Sequence, residues 1–469
     1  IERPEENGFE SQNVALKDSF ENLSEMMREY ALGRLDEKEK TQLFSLLRVL
    51  SDKSGSNTLE KIEEAAFKHY ESVPMAKALA LALYGATLEN SVSRLELFAS
   101  CAYAHFIKYG LHIDERQEYE FEASDLGNVF HKVLEKYTGQ IITDGITWKN
   151  LSKEKSDEML NHALMDVVES YGDTILISNA RNKYMIERIK RILIRTVDTL
   201  KYQLSKGSFE PAFVEMSFSE AGKLDEIDVA LTEDEKHNIT EKMKLVGKID
   251  RIDLCRDDDH VYIKVMDFKS GQHKFNMAYL YYGLQLQLVM YMNVAMATQK
   301  KAFAEKEIIP AAILYYHVQD PMVDASQEKL AEDINKEIIG KLKMTGLVND
   351  DQAIIQMLDN GLTSRSDIIP VGIKKDGGFT RESAVASEEQ YRAISNYVNR
   401  KVRDFGRRIL EGDISVNPYE DGQRQACTYC SYRSICGFDE RISGFEKRKL
   451  TLSPDEALAE IMKEENNGS

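Results

Sequence analysis

The chain has 469 residues, enough for roughly three domains at ~150 residues each and for sizeable buried cores. Its 42% hydrophobic and 30% charged residues exclude collagenous and wholly disordered classes, and no apolar run reaches the ~18 residues of a membrane span. A net charge of −18, from 61 Lys and Arg against 79 Asp and Glu, argues against a generic nucleic-acid coat.

The start, IERPEENGFE, shows no basic stretch followed by an apolar one, so a cytoplasmic location is expected. It also lacks an initiator Met, as a piece of a longer chain would. Residues 1–90 read as helical, with apolar positions at helical spacing over Lys40–Leu50 and Met75–Ala86, and SDKSGSN (51–57) as a linker. A helix is predicted over Ser124–Tyr137, and longer ones over 155–170 and 178–205. Strands follow at 211–218, 244–250, 261–268 and 311–318, with a helix over 278–298 between the last two. This order predicts an α/β fold, a central mixed sheet with helices on its faces. Residues 320–386 read as an insertion, 388–410 as a helix, and the acidic tail after Phe438 as helical or frayed. Two basic runs stand out. Residues 181–195 carry six basic and one acidic residue, and 400–408 carry five and one. Such runs are solvated helix faces or DNA contacts.

Five cysteines in so long a chain are no disulfide scaffold. Cys255 reads as a small buried apolar residue. Cys427, Cys430 and Cys436 form C-x₂-C-x₅-C, and Cys101 could add a fourth thiolate, a set that suits zinc or an iron–sulfur cluster. The phosphate-cradling sequence G-x-x-x-x-G-K-S/T occurs nowhere, so ATP hydrolysis through such a loop is not expected.

Chemistry concentrates in KIDRID (248–253) and VMDFKSG (265–271). Residues two apart in a strand share a face, so Asp267 and Lys269 project together. A carboxylate beside an ammonium at a strand end can hold a divalent cation and position an attacking water. Asp250 is the natural second carboxylate. Asp253, an odd number away, faces the other side of a regular strand. In DLGNVFHKVLE (125–135), Gly127 and His131 share a helical face, so His131 can reach the metal while Gly127 leaves room for a strand or a phosphodiester. In LQLQLVMYM (284–292), Gln287 and Tyr291 are four apart, whereas Gln285 lies ~200° from Gln287 around the helix. Each element has a bland reading: a surface salt bridge for D-x-K, a structural histidine, a core hydrogen bond for the glutamine.

In order, G-x-x-x-H, G-x-I-D, D-x-K and Q-x-x-x-Y resemble the motif series of the RecB-type nucleases of the PD-(D/E)XK superfamily. The resemblance implies a restriction-endonuclease-like core and a Mg²⁺-dependent deoxyribonuclease. His131, Asp250 and Asp267 would be its metal ligands, Lys269 its catalytic lysine, and Gln287 with Tyr291 its support, Gln285 being the alternative register. The one-plus-three cysteine split resembles the iron–sulfur staple of the AddB and CRISPR-associated branches. It implies a 4Fe–4S cluster on Cys101, Cys427, Cys430 and Cys436. SVSRLELFASCAYAHFIKYGL (91–111), IIPVGIKKDGGF (368–379) and GDISVNPYEDGQRQACTYCSYRSICGFD (412–439) are similar to blocks of the AddB branch, except that Ala102 stands where Pro is expected. That branch implies an exonuclease acting on unwound DNA strands beside an AddA-like helicase–nuclease partner, in double-strand-break repair by recombination. Residues 1–90 would be a remnant of a preceding helicase-like region, 91–440 the nuclease and 441–469 a tail. The rivals are a free-standing CRISPR-associated-type exonuclease and a scaffold module whose site has decayed.

Overall fold

The computed structural model describes residues 7–51, 56–115, 123–170, 180–220, 222, 224, 227–233, 239–271, 273–323, 330–422 and 424–467. Two compact units emerge: Ile1–Pro74 with Ile414–Lys449, and Met75–Asp413 with Leu450–Ser469. Among the described residues no helix is long and apolar enough to cross a membrane.

Helices α1 (Asn7–Ala31), α2 (Glu37–Ser51) and α3 (Ser56–Ala66) bury Leu23, Met27, Leu43 and Leu50 among themselves in the first unit. Asp36 and Glu39 cap α2 reciprocally, each accepting the other's backbone N–H at 2.7–2.8 Å. The second unit opens with α4 (Lys77–Tyr84), β1 (Thr87–Asn90), α5 (Val92–Ser100) and α6 (Ala102–His105). There follow α7 (Ala123–Thr143), α8 (Lys153–Ser170) and α9 (Ala180–Ser205), then β2 (Glu210–Ser217), β3 (Asp228–Glu233), β4 (Ile239–Leu245), β5 (Lys248–Arg256) and β6 (His260–Lys269). Next come α10 (Met277–Tyr281), α11 (Gln287–Ala302), β7 (Glu307–His317), α12 (Ala331–Lys341), β8 (Thr345–Asn349), α13 (Gln352–Leu358), β9 (Val385–Ala386) and α14 (Glu388–Leu410). The chain closes with β10 (Tyr419–Glu420), α15 (Arg433–Cys436) and β11 (Arg448–Lys449) of the first unit, and α16 (Pro454–Asn467) of the second.

The predicted mixed sheet is present. Its six strands run in the order β2-β5-β6-β7-β8-β9, with β5 and β6 an antiparallel hairpin and β6 parallel to β7. The parallel step needs a crossover, and α10 and α11 supply it. Strand β6 is buried from Val261 to Phe268, as a central strand covered on both faces must be. One face packs on α5, α11 and α14 through Leu95, Leu288, Val398 and their neighbours. The other packs on α7, α8 and α9 through Val133, Leu164 and Leu193.

Four elements differ from the sequence reading, the first being Thr87–Asn90, which ends the stretch read as helical and forms β1, paired in parallel with β4. The strand expected over 244–250 breaks at Val246–Gly247, because β4 belongs to a small sheet (β1-β4-β3) and β5 to the large one. The helix expected over 278–298 divides at Gly283, whose φ of +83° ends α10. Segment 320–386 supplies β8 and β9 to the edge of the large sheet. The tail forms α16, which buries Ala457 and Ile461.

Candidate active site

The hairpin register that pairs Arg251 with Met266 sets Asp250 beside Asp267. The Asp250 Oδ2 atom accepts the Phe268 backbone N–H at 2.7 Å, which fixes the carboxylate across the strand gap. Helix α7 brings His131 Nδ1 to 3.2 Å from the same oxygen. On that helix Gly127 lies against the chain just past β6, where an added Cβ would sit 3.3 Å from Ser270 Oγ. At the end of β6, Lys269 Nζ stands 2.6 Å from Asp267 Oδ2 and donates to Gln287 Oε1 at 2.8 Å. Gln287 Nε2 in turn donates to Tyr291 Oη at 2.8 Å. The structure therefore brings His131, Asp250, Asp267, Lys269, Gln287 and Tyr291 to one place. Gln285 points elsewhere, accepting Asn276 N–H and donating to Lys274 C=O.

Asp253 faces the opposite side of β5, as strand alternation requires. There Arg251 donates to both its oxygens, at 2.6 and 3.0 Å, and Lys264 Nζ lies 2.7 Å away. These cations hold its carboxyl below the usual range despite complete burial.

Burial and mutual repulsion of the carboxyls dominate the electrostatics of the site. Burial, reinforced by Asp267, pushes the Asp250 carboxyl well above the ordinary carboxylate range, although His131 and the Phe268 N–H pull it down. Burial likewise raises Asp267 against the pull of Lys269 and His131. Burial opposes the charged form of His131, yet Glu215, Asp250 and Asp267 outweigh it and shift the imidazole upward. Both carboxylate oxygens of Asp267 are buried, and the Lys269 ammonium, 2.6 Å from Oδ2, is the cation beside them. A buried cluster of carboxylate oxygens beside an imidazole suits a hard divalent cation.

Sequence reasoning missed two residues here. Glu215 sits on β2 opposite Asp250, between the pairs Val214–Arg251 and Met216–Ile249. Its Oε1 lies 3.7 Å from His131 Nδ1, and its φ of +49° is unusual for a residue with a Cβ. Among the described residues, His131, Glu215 and Asp250 form the one group of three such side chains with ligand atoms within 4.8 Å of one another. An acidic residue inside an apolar strand (FVEMSF) was the available signal. The second is Glu96 of α5, which accepts the backbone N–H groups of Leu286 and Gln287 at 2.7 and 3.2 Å.

A sequence profile of the PD-(D/E)XK nuclease superfamily matches residues 89–437. The chain belongs to this superfamily. Its relatives within the superfamily include the B component of the ATP-dependent helicase/deoxyribonuclease of Lachnoclostridium phytofermentans, 38% identical over 88% of this chain and 35% of that protein. The corresponding proteins of Alkaliphilus metalliredigens and Bacillus pumilus, which bear the same name, are 37% and 32% identical, over 82% and 97% of this chain and 33% and 38% of theirs. The chain thus spans about a third of the length of these curated relatives.

The two basic runs of this nuclease-family chain fare differently. On α14, Arg400 pairs with Glu464 and Glu465, Lys401 lies over the Tyr281 and Tyr397 rings, and Arg408 pairs with Asp413. Most of that run is spent on packing. On α9, the Arg181 and Lys183 side chains lie outside the described residues. Lys190, Arg191 and Arg195 line a groove of about 470 Å³ between α9 and α12. Asp320 lies 2.7 Å from Arg191 and 3.6 Å from Arg195, one carboxylate shared by two arginines, three residues beyond His317, which is in backbone register with Lys269. None of the five cysteines is in a disulfide; Cys101 lies in the second unit and Cys427, Cys430 and Cys436 in the first. Cys436 Sγ accepts the Phe438 backbone N–H at 3.5 Å and lies 3.6 Å from the Arg433 carbonyl oxygen.

Proposed function

We propose that this chain is the Mg²⁺-dependent exonuclease part of a helicase–nuclease, hydrolysing phosphodiester bonds of unwound DNA strands during double-strand-break repair in the cytoplasm. The observation that carries the reading is the meeting of two buried carboxylates, a histidine and a lysine at the end of one hairpin. Asp250, Asp267 and His131, joined by Glu215, would hold the cation, which when bound supplies Lewis-acid stabilisation of the phosphate charge. Lys269, steadied by Gln287 and through it by Tyr291, orients the attacking water or takes its proton, and its ammonium offsets charge in the transition state. The α9 groove would guide the strand by backbone contact.

The relatives' names supply the remaining parts. Those proteins are named as one component of a helicase/deoxyribonuclease, which supports an AddA-like partner and a DNA substrate for this chain. On the resemblance of the one-plus-three cysteine split to the iron–sulfur staple of related nucleases, Cys101, Cys427, Cys430 and Cys436 are proposed as ligands of a structural 4Fe–4S cluster. Residues 1–90 are proposed as part of a helicase-like region, 91–440 as the nuclease and 441–469 as an appended tail.

Cleavage of end-labelled single-stranded DNA tests the proposal. The parent should cut with Mg²⁺ and not with EDTA, and Asp267→Ala should not cut at all. Unchanged cleavage by D267A would remove the site assignment, and an inert parent would favour the decayed-scaffold reading.

A further inference from the structure

Helix α11 starts where its position matters most, because its first residue, Gln287, is the one that binds Lys269. The first N–H groups of a helix have no partner within it. Leu286, just before the helix, offers no side-chain acceptor of its own. We propose that Glu96 is a positioning residue: by accepting the Leu286 and Gln287 N–H groups it fixes the start of α11, so that Gln287 and not Gln285 faces Lys269. The inference rests on the nuclease reading above.

Glu96 is well placed for this. Its own helix, α5, is anchored by the Ser91 cap and by the buried Leu95, Phe98 and Ala99. The acceptor therefore belongs to a rigid element packed on the same core as α11. A slip of α11 by one residue would turn its face by ~100° and carry Gln287 away from the lysine. Gln285, tied to Asn276 and Lys274 on the preceding turn, resists the same slip from the other side.

The acceptor oxygen matters more here than the full charge. Burial lifts the Glu96 carboxyl to about 7, against the two backbone N–H groups and Lys269, with Asp267 adding to the rise. Tyr291 and Tyr315 also face it, and each is raised chiefly by its own burial. A glutamine would keep the oxygen and lose the charge.

The test is steady-state cleavage of single-stranded DNA with Mg²⁺ by the parent, Glu96→Ala and Glu96→Gln, with a melting curve and a crystal structure of each. E96A should lower kcat by about 10–100-fold, the range for partners that orient reacting groups. Its KM and melting temperature should stay near the parent's, and in its crystal the Lys269–Gln287 bond should be lost. E96Q should restore kcat to within about threefold of the parent, because its amide oxygen still accepts the two N–H groups, and its KM should be unchanged because uniform binding is untouched. The proposal is overturned if E96A cuts like the parent, if E96Q falls as far as E96A, or if KM rises while kcat holds. If the parent does not cut, the nuclease reading fails, and the E96A crystal decides the positioning role alone: persistence of the Lys269–Gln287 bond refutes it. Should E96A not fold, Glu96→Asp, whose acceptor is withdrawn by one methylene, takes its place with the same expectations.

Discussion

Two aspartates three residues apart on the hairpin, and a third across from them, show how position sets the role of one side chain. Asp253 is fully buried but paired with Arg251 and Lys264, so it contributes stability above the ordinary carboxylate range that is lost as pH falls. Asp253→Ala should leave two cations unpaired and cost about 3–5 kcal/mol in urea unfolding. Asp267 is shifted the other way, so its ionised form opposes folding, and stability falls as pH rises through the window above the ordinary carboxylate value. Asp267→Asn should therefore melt at a higher temperature than the parent in metal-free buffer at neutral pH. It should also lose the Mg²⁺-induced rise in melting temperature and at least about 100-fold in cleavage, since even outer partners of metal ligands cost ~10–100-fold. A D267N protein that melts lower than the parent would contradict this account. At this scale the sequence was most legible: strand parity showed that only one of Asp250 and Asp253 could face the metal. Glu215 was legible only as an acidic residue out of place in an apolar strand, because its role comes from the neighbour that lies opposite it.

Among the elements, α9 and α14 carry similar basic runs with different surroundings. Charge counting could not separate them, since the carboxylates that neutralise α14, Glu464, Glu465 and Asp413, lie outside its own sequence. Arg191→Ala and Arg195→Ala should each weaken single-stranded DNA binding and reduce the salt slope by a little under one per contact. Arg400→Ala should leave that slope unchanged and cost at most about 1 kcal/mol of stability, as exposed ion pairs do. A filter-binding titration over several salt concentrations distinguishes the two, and a slope change for R400A alone would reverse the assignment. Helix and strand types were readable from periodicity. The break at Val246–Gly247 was not, because continuity of apolar pattern does not reveal that a chain has passed from one sheet to another.

Across the whole molecule, the order of motifs carried more information than any of them singly. Each of G-x-x-x-H, D-x-K and Q-x-x-x-Y is common by chance, yet a helix, a hairpin and a crossover helix deliver all three to one sheet end. The segment 320–386 looked detachable because it is polar, but its two short strands complete the sheet edge, and such strands are too brief to show alternation. The cysteine proposal also belongs to this scale. Protein purified without oxygen should be brown and contain iron and labile sulfide, whereas a colourless protein containing zinc would reject the cluster. The central claim is that His131, Asp250 and Asp267 together hold one divalent ion. Crystals soaked in Mn²⁺ test it most directly: an anomalous peak bonded to all three side chains is predicted, and cleavage-competent protein whose only bound Mn²⁺ lies elsewhere would contradict it.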